Sequence, residues 1–214
     1  MKIDYMGHSC FLITTDAGTR IVTDPFDPSG FKFRAFDGAA DAVTVSHGHG
    51  DHAATGLVKG NPRVVRGSGR FAVKDVEFVG VDTFHDSAGG SQRGSNTVFV
   101  IRADGLTIAH LGDLGHVLTD DQIAQIGPVD VVLIPVGGYY TIDAAAAQTV
   151  AEQLRAKVVI PMHFRNPKCE FPITGVEEFA AGKSNVKRPG GSVLDVSAGS
   201  LPSEPEIVVL EPCL

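Results

Sequence analysis

Residues 43–52 read Val43-Thr44-Val45-Ser46-His47-Gly48-His49-Gly50-Asp51-His52. A short β-prone run passes straight into three histidines and an aspartate. Imidazole nitrogens and carboxylate oxygens are the donors that zinc and similar borderline cations prefer. In an extended chain, residues two apart project to the same side. His47 and His49 are therefore expected to address one position. Asp51 and His52 follow a glycine turn and are expected to point at a second. Gly48 and Gly50 read as space, because bulky side chains would crowd two cations about 3.5–4 Å apart.

The same placement recurs outward along the chain. His85 lies just beyond a strand expected over residues 76–81, Asp113 beyond one over 106–109 and His163 beyond one over 158–161. Four candidate groups thus fall past the carboxyl ends of four strands, the edge where open α/β folds assemble sites. Further strands are expected over 3–6, 10–14, 20–23, 97–102, 129–134 and 207–210, with Ala103-Asp104-Gly105 as a hairpin signal. Thr119-Asp120-Asp121-Gln122 opens a helix to about Ile126. Residues 144–156 form a second, capped by Thr141 or Asp143, and Thr174 opens a third that ends near Gly182. Strands dominate the first half and alternate with helices in the second. This pattern implies an α/β fold of the layered-sandwich kind rather than a single Rossmann sheet. Phe31-Lys32-Phe33-Arg34-Ala35-Phe36 alternates aromatic with basic or small residues, which favours a half-buried edge strand over a mobile flap.

Composition sets the limits. The 214 residues are 43% hydrophobic and 20% charged, which suits one globular domain over 1–214. Lys and Arg number 18 against 25 Asp and Glu, a net charge of −7. That balance argues against a nucleic-acid partner held through its phosphates, so a small-molecule substrate is expected. No apolar run approaches the roughly 18 residues of a membrane span. Met1-Lys2-Ile3 reads as an immediate strand, not a signal peptide. Cys10, Cys169 and Cys213 form neither a disulfide ladder nor a paired-cysteine zinc motif, and a reducing cytoplasm is the expected setting. No G-x-G-x-x-G follows the first strand and no P-loop occurs, so nucleotide cradles are unsupported. Oligomeric state is left open.

His47-Gly48-His49-Gly50-Asp51-His52 resembles the H-x-H-x-D-H signature of the metallo-β-lactamase superfamily. The ordered remainder matches too: His85 in Thr83-Phe84-His85-Asp86, Asp113 in Leu111-Gly112-Asp113, and His163 in Pro161-Met162-His163-Phe164. Gly7-His8-Ser9-Cys10-Phe11 with Asp24-Pro25-Phe26 looks like the branch of small bacterial metal-dependent hydrolases, which includes lactonase-like and N-acyl-phosphatidylethanolamine phospholipase D-like members. The resemblance implies a four-layer αβ/βα sandwich with a metal site at one edge of two sheets. It implies one cation on His47, His49 and His85, a second on Asp51, His52 and His163, and Asp113 bridging them. Zinc is the expected metal, with manganese and iron as alternatives. Two cations sharing a water lower its pKa toward about 7. The bridging hydroxide would attack a small ester, lactone or phosphodiester.

Asp51 is the candidate to accept a proton after attack. His8 is expected to orient a ligand or touch substrate, against the alternative of a strand-end turn residue. Neither Ser9 nor Cys10 has an assigned base, so no side-chain nucleophile is inferred. His110 reads as a packing group or as one that supports a ligand from behind. His116 lies close enough to Asp113 in sequence to enter the pocket. Gly137 and Gly138 precede a helix and would expose backbone N–H groups to an anion, while Tyr139 and Tyr140 would add an aromatic wall. The other reading is a loop that needs glycine and tyrosines that only pack. Arg165 could pair with a substrate phosphate or carboxylate, or be a solvated loop residue. Arg93, Asn96 and Lys168 are further polar candidates. The superfamily also contains mononuclear iron thiol-oxidising enzymes and nucleases, which are the competing functions.

Overall fold

The computed structural model describes residues 1–213. Its strands are β1 (Lys2–Gly7), β2 (Cys10–Thr14), β3 (Arg20–Thr23), β4 (Ala42–Val45), β5 (Arg63–Arg66), β6 (Gly69–Val73) and β7 (Val76–Phe84). They continue as β8 (Ser95–Ala103), β9 (Leu106–His110), β10 (Val131–Pro135), β11 (Val158–Met162), β12 (Val186–Lys187), β13 (Val193–Asp195) and β14 (Glu206–Val208). The helices are α1 (Asp120–Ile126), α2 (Ala144–Leu154) and α3 (Val176–Ala180). One sheet has six strands in the order β13-β1-β2-β3-β4-β5, and the other has eight in the order β12-β14-β11-β10-β9-β8-β7-β6. Both are mixed. β3, β4 and β5 run parallel, as do β9, β10, β11, β14 and β12.

This is the α/β sandwich that the sequence implies. Alternation explains how the first sheet is buried on both faces. Ile3, Tyr5, Phe11, Ile13, Ile21 and Ala42 face the main core between the sheets. Cys10, Val22, Val43 and Val45 face a second core with Phe26, Phe33, Phe36 and Ile173. β10 and β11 are buried at every residue, as parallel strands covered on both sides should be. α1 packs on β7, and α2 packs on β10 and α3.

Local signals account for most boundaries. Asp104 and Gly105 both take positive φ (53° and 72°), the conformation that a two-residue hairpin requires. Thr119 and Gln122 complete the reciprocal capping box of α1. Asp143, not Thr141, caps α2, and Arg155 in a left-handed conformation ends it before residue 156. Thr174 does not cap α3. Its hydroxyl and its N–H both go to the Gly137 carbonyl, and Gly175 takes the cap position.

The stretch 31–36 corrects the sequence reading: it is not a strand. Phe33 and Phe36 sink into the second core while Lys32 and Arg34 stay exposed. The aromatic alternation therefore serves to cover the first sheet rather than to extend it. β5, β6, β12 and β13 carry weak or partly exposed patterns that the sequence alone did not mark as strands.

Candidate metal centre

The carboxyl ends of β4, β7, β9 and β11 meet at one edge of the sandwich, and each delivers a ligand group. His47 Nε2 lies 3.1 Å from His49 Nδ1, so the two do share a side. With His85 they form a set whose ligand atoms lie within 4.8 Å of one another. His8, His52 and His163 form a second such set. Asp113 stands between the two sets. Its Oδ2 is 3.2 Å from His85 Nε2, 3.3 Å from His163 Nε2 and 4.0 Å from His47 Nε2, and its Oδ1 is 3.2 Å from His52 Nε2. Asp51 Oδ2 lies 3.8 Å from His52 Nε2 and 3.3 Å from His8 Nε2. The structure thus gathers all seven sequence-predicted ligands, together with His8.

The chemistry of these donors fits a cation. Asp113 Oδ1 and His52 Nε2, though 3.2 Å apart, are buried and not aligned to hydrogen-bond each other, and His8 Nε2 is likewise close to Asp51 without forming an aligned hydrogen bond. Orphaned polar atoms of this kind are costly in a protein interior, and here they are clustered. Burial alone would raise the Asp113 carboxyl pKa, but His163 and His52 overcome it and hold the group well below its ordinary value. Burial opposes a charged His52, yet Asp113 and Asp24 outweigh it and raise its pKa well above the ordinary value. Burial lowers His47 and His8 to about 3, so both are neutral donors at physiological pH. Asp51 is depressed as well: burial would raise it, but His8 and His52 outweigh that effect. Ionised carboxylates gathered among imidazole nitrogens make a site where a cation can take the place of protons.

Supporting contacts fix these groups. His52 Nδ1 donates to Asp24 Oδ2 at 2.9 Å, which leaves Nε2 for the site. Asp24 also accepts the Ser46 N–H at 2.8 Å. The sequence reading gave Asp24 no role, although it too follows a strand end, that of β3. Asn96 Oδ1 accepts the Asp113 N–H at 3.0 Å, and Asn96 Nδ2 donates to Thr83 Oγ1 and the Leu111 carbonyl. Gly112 has φ +56°, and a Cβ there would lie 2.4 Å from Asn96 Oδ1. His110 is a packing group with both nitrogens engaged, donating to the Ser9 carbonyl at 2.8 Å and accepting the Gly112 N–H at 3.2 Å. His8 and His163 both have positive φ (54° and 51°), and the His163 N–H donates to the His8 carbonyl at 3.0 Å. Such conformations are uncommon for residues other than glycine and persist where the surroundings impose them.

A cavity of about 290 Å³ opens onto the centre, lined by His49, Asp51, His85, Arg93, Asp113, Tyr140, His163 and Phe171. A larger groove of about 720 Å³ lies beside α2 and α3 and contains none of the ligand groups. Tyr140 is the one residue of the 137–140 loop on the cavity wall. Gly137 is needed for close approach, since a Cβ there would lie 2.3 Å from the His163 carbonyl. The N–H groups of Gly138, Tyr140 and Thr141 bond within the loop, so they are not aimed at an anion. Tyr139 is 65% exposed. Arg165 is exposed and does not line the cavity. His116 accepts the Phe84 N–H at 3.2 Å and its Nδ1 meets the Val117 carbonyl, so its ring is spent on the backbone outside the cavity. A Cβ at Gly48 or Gly50 would meet no protein atom within 4 Å, so neither glycine is demanded by protein packing.

A family model described as the beta-lactamase superfamily domain matches residues 2–163. A UPF0173 metal-dependent hydrolase from Carboxydothermus hydrogenoformans is 31% identical, over 77% of this chain and 84% of its own length. Another from Pyrococcus furiosus is 30% identical over the same shares, 77% and 84%. A Thermotoga maritima crystal structure, described as a Zn-dependent hydrolase of the metallo-beta-lactamase superfamily, is 42% identical, covers 98% of each chain and has a TM-score of 0.83.

Proposed function

The chain belongs to the metallo-β-lactamase superfamily and is a metal-dependent hydrolase, and from that premise we propose that it uses two divalent cations to hydrolyse a small ester, lactone or phosphodiester. The observation that carries this reading is the pair of donor sets sharing Asp113. His47, His49 and His85 would hold one cation, and Asp51, His52 and His163 the other, with His8, the third imidazole of the buried set, placed against Asp51. When bound, such a pair acidifies a shared water and polarises the oxygen under attack.

The chain's own groups do the rest. Asp113 keeps the two sets in register. Asp24 fixes the His52 tautomer through Nδ1. His8 stands 3.3 Å from Asp51 and positions that carboxylate from a buried, aromatic surround that includes Phe31 at 4.7 Å between ring centroids. The Asp51 side chain is 29% exposed against 3% for Asp113, so Asp51 is the carboxylate that can receive a proton from the cavity. Tyr140 and Phe171 wall the substrate. Among the described residues, no helix is long and apolar enough to cross a membrane.

Metal analysis of purified protein, followed by a panel of lactones, phosphodiesters and thioesters, tests the reading. The expected result is two zinc or manganese ions per chain and turnover of at least one class. One iron per chain with oxygen uptake would replace it with thiol oxidation. Cleavage of RNA lost in His49→Ala would replace it with a nuclease.

A further inference from the structure

Arg93 differs from every other group on the cavity wall. It is the only Arg or Lys among the eight lining residues. Its guanidinium lies over the Tyr140 ring, 5.8 Å from the centroid, and makes no side-chain hydrogen bond or ion pair among the described residues. Guanidinium carries five N–H donors in a planar fork and no acceptor. A purely structural arginine in a chain of net charge −7 has many carboxylates to choose from. This one rests on an aromatic face, which holds the plane while leaving the edge donors open.

The loop that carries it is tightly tied. Asp86 accepts the backbone N–H groups of Ala88, Gly90, Gln92 and Arg93 itself, at 2.8 to 3.0 Å. Gly90 and Gly94 take positive φ (83° and 92°), and the Gly94 N–H closes onto the Gly90 carbonyl at 3.0 Å. The backbone at Arg93 is therefore fixed, and its side chain shares the cavity wall with donors of the metal centre. The Tyr140 ring beneath Arg93 meets Phe171 at 6.0 Å between centroids, and Phe171 in turn meets His8 at 5.9 Å.

We propose that Arg93 receives a carboxylate or phosphate that the substrate carries apart from the bond to be cleaved, so that the substrate of this site is a small organic anion. The inference rests on the hydrolytic reading above and narrows it. A cavity of about 290 Å³ restricts that anion to a compact molecule.

Two measurements test it. The first is binding to the zinc-loaded protein by calorimetry, with butyrate against the dicarboxylates succinate, glutarate and adipate. One carboxylate is expected on the metal centre, and Arg93 is the one Arg or Lys lining the cavity to meet the second. The wild type is expected to bind at least one dicarboxylate about 10- to 100-fold more tightly than butyrate, the worth of a charge-assisted hydrogen bond. Arg93→Gln should abolish that margin and Arg93→Lys should restore part of it. An equal margin in wild type and Arg93→Gln, or no margin in the wild type, overturns the proposal. Replacing glutarate by 3-phosphonopropionate shows whether phosphate or carboxylate is preferred.

The second measurement compares 4-nitrophenyl acetate with mono-4-nitrophenyl succinate, which share a leaving group. The wild-type preference for the anionic ester should lie in KM and collapse in Arg93→Gln. An undiminished preference in that variant overturns the proposal while leaving hydrolysis intact. A wild type that hydrolyses neither ester, nor any member of the substrate panel, counts against the hydrolytic reading, and the binding arm then decides the role of Arg93 alone.

Discussion

The donor set of His47, His49 and His85 reaches solvent through an exposed His49, whereas His8, His52 and His163 are all buried. The open set comes largely from one short segment after β4, completed by His85. The buried set draws on the ends of β1, β4 and β11 and is backed by Asp24 from the end of β3. The difference teaches that one centre can combine a locally encoded half and a half that exists only once distant strands have met. The open half depends on side-chain spacing. The buried half depends on neutralising charge where water cannot help.

Removing what the halves share should have the largest effect. Asp113→Ala is expected to deplete both cations and lower hydrolysis by about a thousandfold or more, read as metal per chain and kcat/KM. Retention of two ions with normal turnover would reject sharing by Asp113. Separating the halves comes next. Asp24→Asn should weaken metal affinity of the buried position by about 10- to 100-fold and leave the open position unchanged, in a two-site titration. His49→Ala should do the reverse. Equal weakening at both positions would erase the distinction.

A smaller effect concerns the loop beside the open half. Burial would raise the Asp86 carboxyl, but four backbone N–H donors outweigh it and lower its pKa to about 2. The folded value lies below the unfolded value of about 4. The stabilisation is therefore complete above about pH 4 and lost as pH falls through the folded value. Amide exchange at Gln92 and Arg93 should accelerate over that window, and Asp86→Asn should flatten the profile. The smallest effect belongs to Gly48→Ala, expected to change stability by less than about 0.5 kcal/mol in denaturant melts with metal content intact. Loss of a cation in that variant would return crowding at the metals as the reason for the glycine.

The contrast also marks what could be read in advance. His47, His49, Asp51, His52, His85, Asp113 and His163 were legible because each sits past a strand whose apolar run is visible in sequence. Asp24 obeys the same placement, but a lone aspartate before proline resembles any turn residue, and its partner lies 28 positions away. Residues 31–36 misled because alternation reports which side chains are buried, not whether backbone groups pair with a neighbouring strand. Gly137 and Gly138 were visible as glycines, yet sequence does not say whether a glycine admits a ligand or the His163 carbonyl. Arg93 was one polar candidate among several until the Asp86 loop and the Tyr140 ring placed it.

The amide of His163 donating to the carbonyl of His8 spans the two sheets, and both residues also bring imidazoles to the buried donor set. Sheet alignment and donor spacing are consequently one mechanical quantity. Close-packed interiors pass strain on, so a core substitution that shears one sheet against the other is expected to shift the spacing of these imidazoles.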